Sequence, residues 1–357
     1  MGSSAKLRAL THGARGKLVS WTLLSVALIV FPFVITGPTY TSIGVFTVIF
    51  MACATAWNIF SGFSGYISLG HGIFYGVGAY TIALLAKDLG MQGGYSVFLL
   101  VPVAGVCAAL VAVPVGLVAL RTRRRTFIVI SIAIFWLFQL SAYNLGFTGA
   151  ATGLQLPTPS WSGSFFNIPF YFAAVLLFAL AFAISVWVRR SRFGLQLLAI
   201  RDDEDRALGL GVKVWPVKMT SLVISAFVTG MGGALWAYFV GQIFPQFAFD
   251  PIFAISVTLM TFFGGIGTLA GPVLGALVLE SAQQYLTLQF SNGSVFLVVF
   301  GALFLFVLLF MPKGIVPAVG GWNDRRQERQ RLRSEPGALA PPAPPARTPS
   351  STSGAGR

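Results

Sequence analysis

The sequence predicts an all-α integral membrane protein, a polytopic bundle of about ten transmembrane helices with broken, Gly-rich segments. Three observations predict it. Of 357 residues, 56% are hydrophobic and only 10% are charged, against roughly 25% charged in an average soluble domain. The apolar residues come in blocks, with no Asp, Glu, Lys or Arg over 18–86, 89–120, 126–188, 219–249 or 251–279. A spanning helix needs about 20 mostly apolar residues, so the longer blocks hold two or three spans each. Third, the basic residues border these blocks in a one-sided pattern.

The spans fall near 18–36, 42–60, 66–86, 96–120, 127–146, 169–188, 219–241, 251–268, 272–290 and 294–311. The first follows Lys6, Arg8, Arg15 and Lys17 but exceeds the roughly 7–15 residues of a signal-peptide core and has no small-residue cleavage pattern after it, which makes it an uncleaved span. With ten spans, the basic residues before span one, after spans four and six, and from Lys313 onward share one side. Only Lys87 of the 24 Lys and Arg residues falls outside. The positive-inside rule makes that side the cytoplasm, with both termini there. The net charge of +14 is therefore a membrane-topology signal, and nucleic acid is not expected as a partner.

The domain organisation follows: a cytoplasmic segment 1–17, a membrane domain 18–312 containing a cytoplasmic loop 189–218, and a cytoplasmic tail 313–357. The end of that tail is rich in Ala, Pro and Ser and cannot bury a core, so disorder is expected. Cys53 and Cys107 sit in apolar stretches and read as packing residues. His12 and His71 are too far apart to form a metal cluster, so no metal or cofactor of the chain's own is expected. There is no Gly-x-x-x-x-Gly-Lys-Ser/Thr loop and no nucleophile–base or paired-carboxylate set. These absences argue against an enzyme.

Three segments are the candidates for function. In 58–80 six glycines crowd a span; Gly72 and Gly76 have the small-xxx-small spacing that lets helix backbones approach. Ser68, His71 and Tyr75 add polar groups there, either lining a pathway or bonding one helix to another. In the loop, Asp202 is the expected N-cap of a short helix, with Asp203, Glu204 and Asp205 in its first turn and Gly209 or Gly211 at its end. Two turns are too few to persist alone, so this helix either docks on a partner through Leu208 and Leu210 or packs on its own bundle. In 249–280, Gly267, Gly271 and Gly275 repeat the packing spacing, the run 263–268 reads as a turn or a broken helix, and Glu280 is the one acid within a predicted span. An intramembrane acid marks a pathway, is protonated, or lies near an interface.

At these segments the chain resembles the LivM-type permease family of ATP-binding-cassette importers, over roughly 42–312. The matches are 68–80 (SLGHGIFYGVGAY), 147–154 (FTGAATGL), 198–211 around Ala-Ile-Arg-Asp-Asp-Glu, and 263–275 (FGGIGTLAGPVLG). The resemblance implies a bacterial inner-membrane permease for branched-chain amino acids. It would pair with a second homologous permease, be driven by two cytoplasmic ATPase subunits that use ATP and Mg, and be supplied by a periplasmic binding protein. It also implies that the loop is the coupling segment docking on the ATPase, with Ile200, Arg201, Asp203, Glu204, Arg206, Ala207 and Gly211 as its matching residues. Ser68, His71, Gly72 and Tyr75 are the expected substrate path. Two departures stand out: Gly209 occupies a position where a helix former is usual, and Gln196 lies where a basic residue is common. Other cargoes such as urea or amides, an ion-coupled secondary transporter and a non-transporting scaffold are the competing readings.

Overall fold

The computed structural model describes residues 26–35, 37–159, 161, 165–289, 298–299, 301–302, 305–306 and 314–317. The compact unit is Met1–Val316; of the second unit, Pro317–Arg357, only Pro317 is described. The described residues are mostly helical. After a helical stretch over 26–34 come α1 (Pro38–Trp57), α2 (His71–Asp88), α3 (Leu100–Ala119), α4 (Arg124–Asn144) and α5 (Asn167–Arg190). Then follow two short helices, α6 (Arg192–Asp202) and α7 (Glu204–Gly209), and finally α8 (Val214–Val240), α9 (Pro245–Ala248), α10 (Pro251–Gly264) and α11 (Gly271–Gln289).

Among the described residues, six helical segments are long and apolar enough to cross a membrane: Pro38–Gly62, Tyr95–Ala119, Arg124–Asn144, Asn167–Arg190, Val214–Val240 and Pro245–Gly264. Helices α2 and α11 fill two more of the expected spans. The expected span 18–36 is described over 26–35 only, and the expected span 294–311 and the expected disordered tail lie largely outside the described residues. Two of the expected spans are shorter than drawn, and the second stops inside the run 263–268 that reads as a turn or a broken helix. The span expected over 66–86 begins only at His71, because 65–70 is extended or bent. The span expected over 251–268 ends at Gly264, and a turn leads into α11.

Helix α8 is the central strut, packed on α2, α3, α1 and α5. In lipid there is no hydrophobic force to draw helices together, so contact depends on close fit and on hydrogen bonds. The α2–α8 contact shows the fit: a Cβ on Gly78 would lie 1.9 Å from the Gly230 carbonyl oxygen, and one on Gly233 would lie 2.0 Å from that of Tyr75. The α10–α11 hairpin uses the same device, since a Cβ on Gly275 would sit 1.7 Å from the Met260 oxygen. Gly271 and Gly275 are thus backbone-contact glycines. Gly267 departs from its expected packing role: it sits in the turn at φ +77. Gly72 and Gly76 face the rings of Phe135 and Phe249, not another helix backbone. The closest α2 contacts are made by Gly78, which the four-residue spacing did not select.

At the far end of the bundle the loop after α4 is tied down. Leu154 and Gln155 pair antiparallel with Ile243 and Gln242, and Trp161 stacks on Tyr95 with ring centroids 4.7 Å apart.

Candidate functional site

The break between α1 and α2 lies within the apolar part of the chain, where an unpaired backbone group is costly. Side chains satisfy it. Helix α1 loosens into a π-turn over Asn58–Gly62. Beyond that, the Trp57 indole donates to the Ser68 carbonyl at 2.8 Å, the Ser68 amide donates to Ser61 Oγ at 3.2 Å, and the Leu69 amide donates to Ser131 Oγ at 3.3 Å. The glycines that permit this bend include Gly65 at φ +75.

His71 opens α2, wholly buried. Its Nδ1 is 2.8 Å from Ser68 Oγ and its Nε2 is 2.8 Å from Ser225 Oγ on α8. Ser225 already donates its proton to the Ala56 carbonyl at 2.7 Å. Nε2 must therefore donate to Ser225, and Nδ1 must accept from Ser68. The result is a neutral imidazole with both nitrogens satisfied, pinning α2 to α8 and α1. Of the expected path residues, Ser68 and His71 are thus engaged in this network. Gly72 lies against Phe135, and Tyr75 stacks on Phe253 at 3.9 Å with its buried hydroxyl unpartnered.

The second centre is the charged helix pair. Ser191 caps α6, accepting from the Gly194 amide. The α7 cap is Asp203, whose Oδ1 accepts from the amides of Asp205 and Arg206 at 3.1 and 3.0 Å; this moves the expected cap from Asp202 by one residue. The reason is that α6 runs through Asp202, so the extended residue that begins α7 is Asp203. Helix α7 ends at Gly209, and Gly211 takes a left-handed φ of +83.

Arg201 and Glu204 turn inward. Arg201 Nη1 donates to the Gly62 carbonyl at 2.8 Å, at the end of the π-turn. Its guanidinium fills the space a Cβ on Gly267 would need, 1.9 Å away. Arg124 donates to the carbonyls of Ile200 and Arg201. Glu204 accepts from the Tyr66 hydroxyl at 2.5 Å and from Lys218 Nζ at 2.8 Å. Lys218, 3% exposed, also donates to the Tyr66 oxygen at 3.0 Å and sits over the Tyr66 ring. Burial pushes the Glu204 carboxyl up, but the hydrogen bonds from Lys218 and Tyr66 and the charges of Lys218 and Arg124 outweigh it, leaving the group below the usual carboxylate range. Ile200 and Ala207 are buried, while Asp202, Asp205, Arg206, Leu208, Leu210 and Gly211 face outward. Leu210 is 83% exposed.

Asn58 joins the two membrane breaks. Its Oδ1 accepts from the Gly267 amide at 2.8 Å and its Nδ2 donates to the Thr268 carbonyl at 2.9 Å. One side chain of α1 thereby closes the α10–α11 turn, beside the Arg201 guanidinium. The sequence reading missed Asn58, Tyr66 and Lys218. Lys218 carried a signal: it is a lone cation at the start of a long apolar block.

Glu280 is fully enclosed in α11. Its Oε1 accepts from Gln284, and its Oε2 has no partner among the described residues. Asp250, outside the predicted spans, caps α10 through the Ile252 amide at 2.8 Å, and the adjoining Phe249 carbonyl accepts from Gln139 at 2.6 Å.

Residues 39–308 match the family model described as branched-chain amino acid transport system / permease component. The high-affinity branched-chain amino acid transport system permease protein LivM of Escherichia coli (strain K12) is 28% identical, over 85% of this chain and 76% of its own. The permease protein LivH of the corresponding system in Salmonella typhimurium (strain LT2) is 27% identical, over 74% of this chain and 89% of its own. A probable LivM of Methanocaldococcus jannaschii is 26% identical over 50% of this chain and 55% of its own. No solved structure matches the chain.

Proposed function

This chain belongs to the branched-chain amino acid transport system permease family, and on that footing we propose that it is the membrane permease subunit of an ATP-binding-cassette importer for branched-chain amino acids. In this reading it crosses the inner membrane about ten times with both termini in the cytoplasm. It pairs with a second homologous permease, receives cargo from a periplasmic binding protein, and is driven by two ATPase subunits that supply the ATP and Mg chemistry.

The observation that carries the proposal is the α6–α7 pair. A helix of two turns is not stable alone, and here its inward side chains are spent on its own bundle: Arg201 on Gly62, Glu204 on Tyr66 and Lys218. Its outward face presents Asp202, Asp205, Arg206, Leu208 and Leu210. Such an element is held rigidly on one side and offers both apolar and charged contacts on the other. A push on that face reaches Gly62 through Arg201 and the α10–α11 turn through Asn58. Both are breaks in the membrane helices, where the backbone can move without unwinding a whole helix. Alternating access needs states whose balance a partner can shift, and only differential contact shifts it. Cargo then passes near Ser68, His71, Gly72 and Tyr75, where His71 holds α2 to α8, Tyr75 stacks on α10 and Gly72 lies against α4.

The test is copurification with the ATPase subunits. Leu208→Glu with Leu210→Glu is expected to abolish ATPase association while leaving the permease folded. Retained association would refute docking on this face. Uptake of labelled leucine, isoleucine, valine and urea by the assembled complex identifies the cargo, and transport of urea alone would refute the branched-chain reading.

A further inference from the structure

Glu280 lies midway along the nineteen residues of α11, and no part of it reaches the surface. It is the one charged residue in the sequence between Asp250 and Lys313. A single hydrogen bond serves its carboxyl: Gln284 Nε2 donates to Oε1 at 2.8 Å. Oε2 has no partner among the described residues, and no ion pair among them includes Glu280.

The helices packed on α11 offer no cation. Helix α10 has no ionisable side chain, and Asp250 at its start is held by the Ile252 amide. Helix α1 brings the Cys53 thiol, while its Tyr40 lies exposed near the other end. Helix α2 brings the Tyr75 hydroxyl. Cys53 and Tyr75 are buried and within electrostatic reach of Glu280, and neither can carry a positive charge. An ionised carboxylate shut away from water with one amide donor and no cation is far less stable than the neutral acid. Halfway across a membrane the difference grows. A proton is also a ligand that an oxygen so enclosed can hold, since it needs no open surface.

Beyond Glu280 the helix turns polar, with Gln283, Gln284, Tyr285, Thr287 and Gln289. Glu280, Gln283, Gln284 and Thr287 are spaced three and four residues apart and share one face. That face runs to the end of α11 remote from its turn with α10, the outer end in the ten-span reading. Gln283 Oε1 is a second buried acceptor with no partner among the described residues. Beside Glu280, the hydroxyls of Ser281 and Thr47 join α11 to α1 at 3.2 Å.

We propose that Glu280 is a proton-binding site, holding a proton on Oε2 in this conformation and releasing it to water along the Gln283, Gln284 and Thr287 face when α1 and α11 part. In that step the O–H bond breaks, its electron pair stays on Oε2 and water takes the proton. The enclosed state binds the proton tightly and the hydrated state weakly, so rising pH draws the permease toward the hydrated state. Protonation stands on the enclosure of Glu280; its effect on uptake rests on the permease reading above.

Two measurements test it. The first is infrared spectroscopy of the purified full chain in lipid at about pH 8, where ordinary carboxyls are ionised. A protonated-carboxyl band is expected, removed by Glu280→Gln. No such band, or a band that Glu280→Gln leaves in place, overturns the site. Where that variant does not fold, Glu280→Asp is expected to shift the band, and an unshifted band overturns the site. The second is initial-rate uptake of labelled leucine by cells making the complete importer, as the outer pH is raised. The wild-type rate is expected to fall by up to about tenfold per pH unit, the limit for one proton. Glu280→Gln keeps the neutral shape and cannot ionise, so its rate is expected to hold. Parallel pH profiles overturn the proposal. So does a Glu280→Gln importer that assembles but moves nothing at any pH, since the neutral side chain is the competent form. A wild-type importer that moves no leucine overturns the permease reading, while the infrared band still decides the proton site.

Discussion

Substituting Glu204 by Gln isolates the electrostatic part of the joint between the short helices and the bundle. The amide keeps the shape and one acceptor but removes the charge facing Lys218. The Lys218 side chain is 4% exposed and that of Glu204 24%. Breaking a buried ion pair by removing one partner costs about 3–5 kcal/mol, chiefly because the remaining charge is left buried. Lys218 keeps the Tyr66 oxygen at 3.0 Å and the face of its ring, which brings the expected loss to about 2–3 kcal/mol. The reverse substitution, Lys218→Met, leaves a carboxylate that reaches water and keeps the Tyr66 hydroxyl, so about 1 kcal/mol is expected. Denaturant unfolding of the detergent-purified chain measures both.

The pH dependence adds a second check on the same pair. The Glu204 carboxyl is held below its unfolded value of roughly 4.3. Its contribution is therefore fully present above the unfolded value and is lost as pH falls through the folded one. The gap between wild type and Glu204→Gln should stay constant from neutrality down to about pH 5 and close below about pH 4. Equal losses for the two substitutions, or a gap that does not close in acid, would refute the account of a buried cation held by this carboxylate.

Three further outcomes follow from the same geometry. Asn58→Leu removes both bonds to the α10–α11 turn and leaves the Gly267 amide unpaired, for an expected loss of about 2–4 kcal/mol and of uptake, read by unfolding and transport together. Gly267→Ala places a methyl at a left-handed φ and against Arg201 Nη1; adding Arg201→Ala should restore part of the stability, and strict additivity in the double-mutant cycle would deny the contact. His71→Leu strands the Ser68 hydroxyl but leaves Ser225 bonded to Ala56, so thermal unfolding should report about 1–3 kcal/mol, and Ser225→Ala, which leaves the buried His71 Nε2–H unpaired, should cost about as much.

The order of the membrane helices, the side on which charge gathers and the presence of a capped helix in 189–218 were legible in the sequence. Each depends on a local property: a run of apolar residues long enough to cross lipid, a cluster of Lys and Arg at its edge, a carboxylate ahead of a helical turn. The family was legible for a related reason, since its glycine-rich segments are contiguous. The destinations of side chains were not legible. Arg201 and Glu204 look like a docking surface in sequence, yet they point into the bundle because the Gly62 carbonyl and Lys218 wait there, 139 and 14 residues away.

His71 shows the same division. Its place in an apolar stretch marked it as important, but only the positions of Ser68, Ser225 and Ala56 together fix which nitrogen carries the proton. The sequence by itself determined which stretches form long apolar helices, since that depends on the local run of residues alone. The tertiary structure alone decided which polar group answers which, because hydrogen bonds depend on distances of about 3 Å that chain order does not encode.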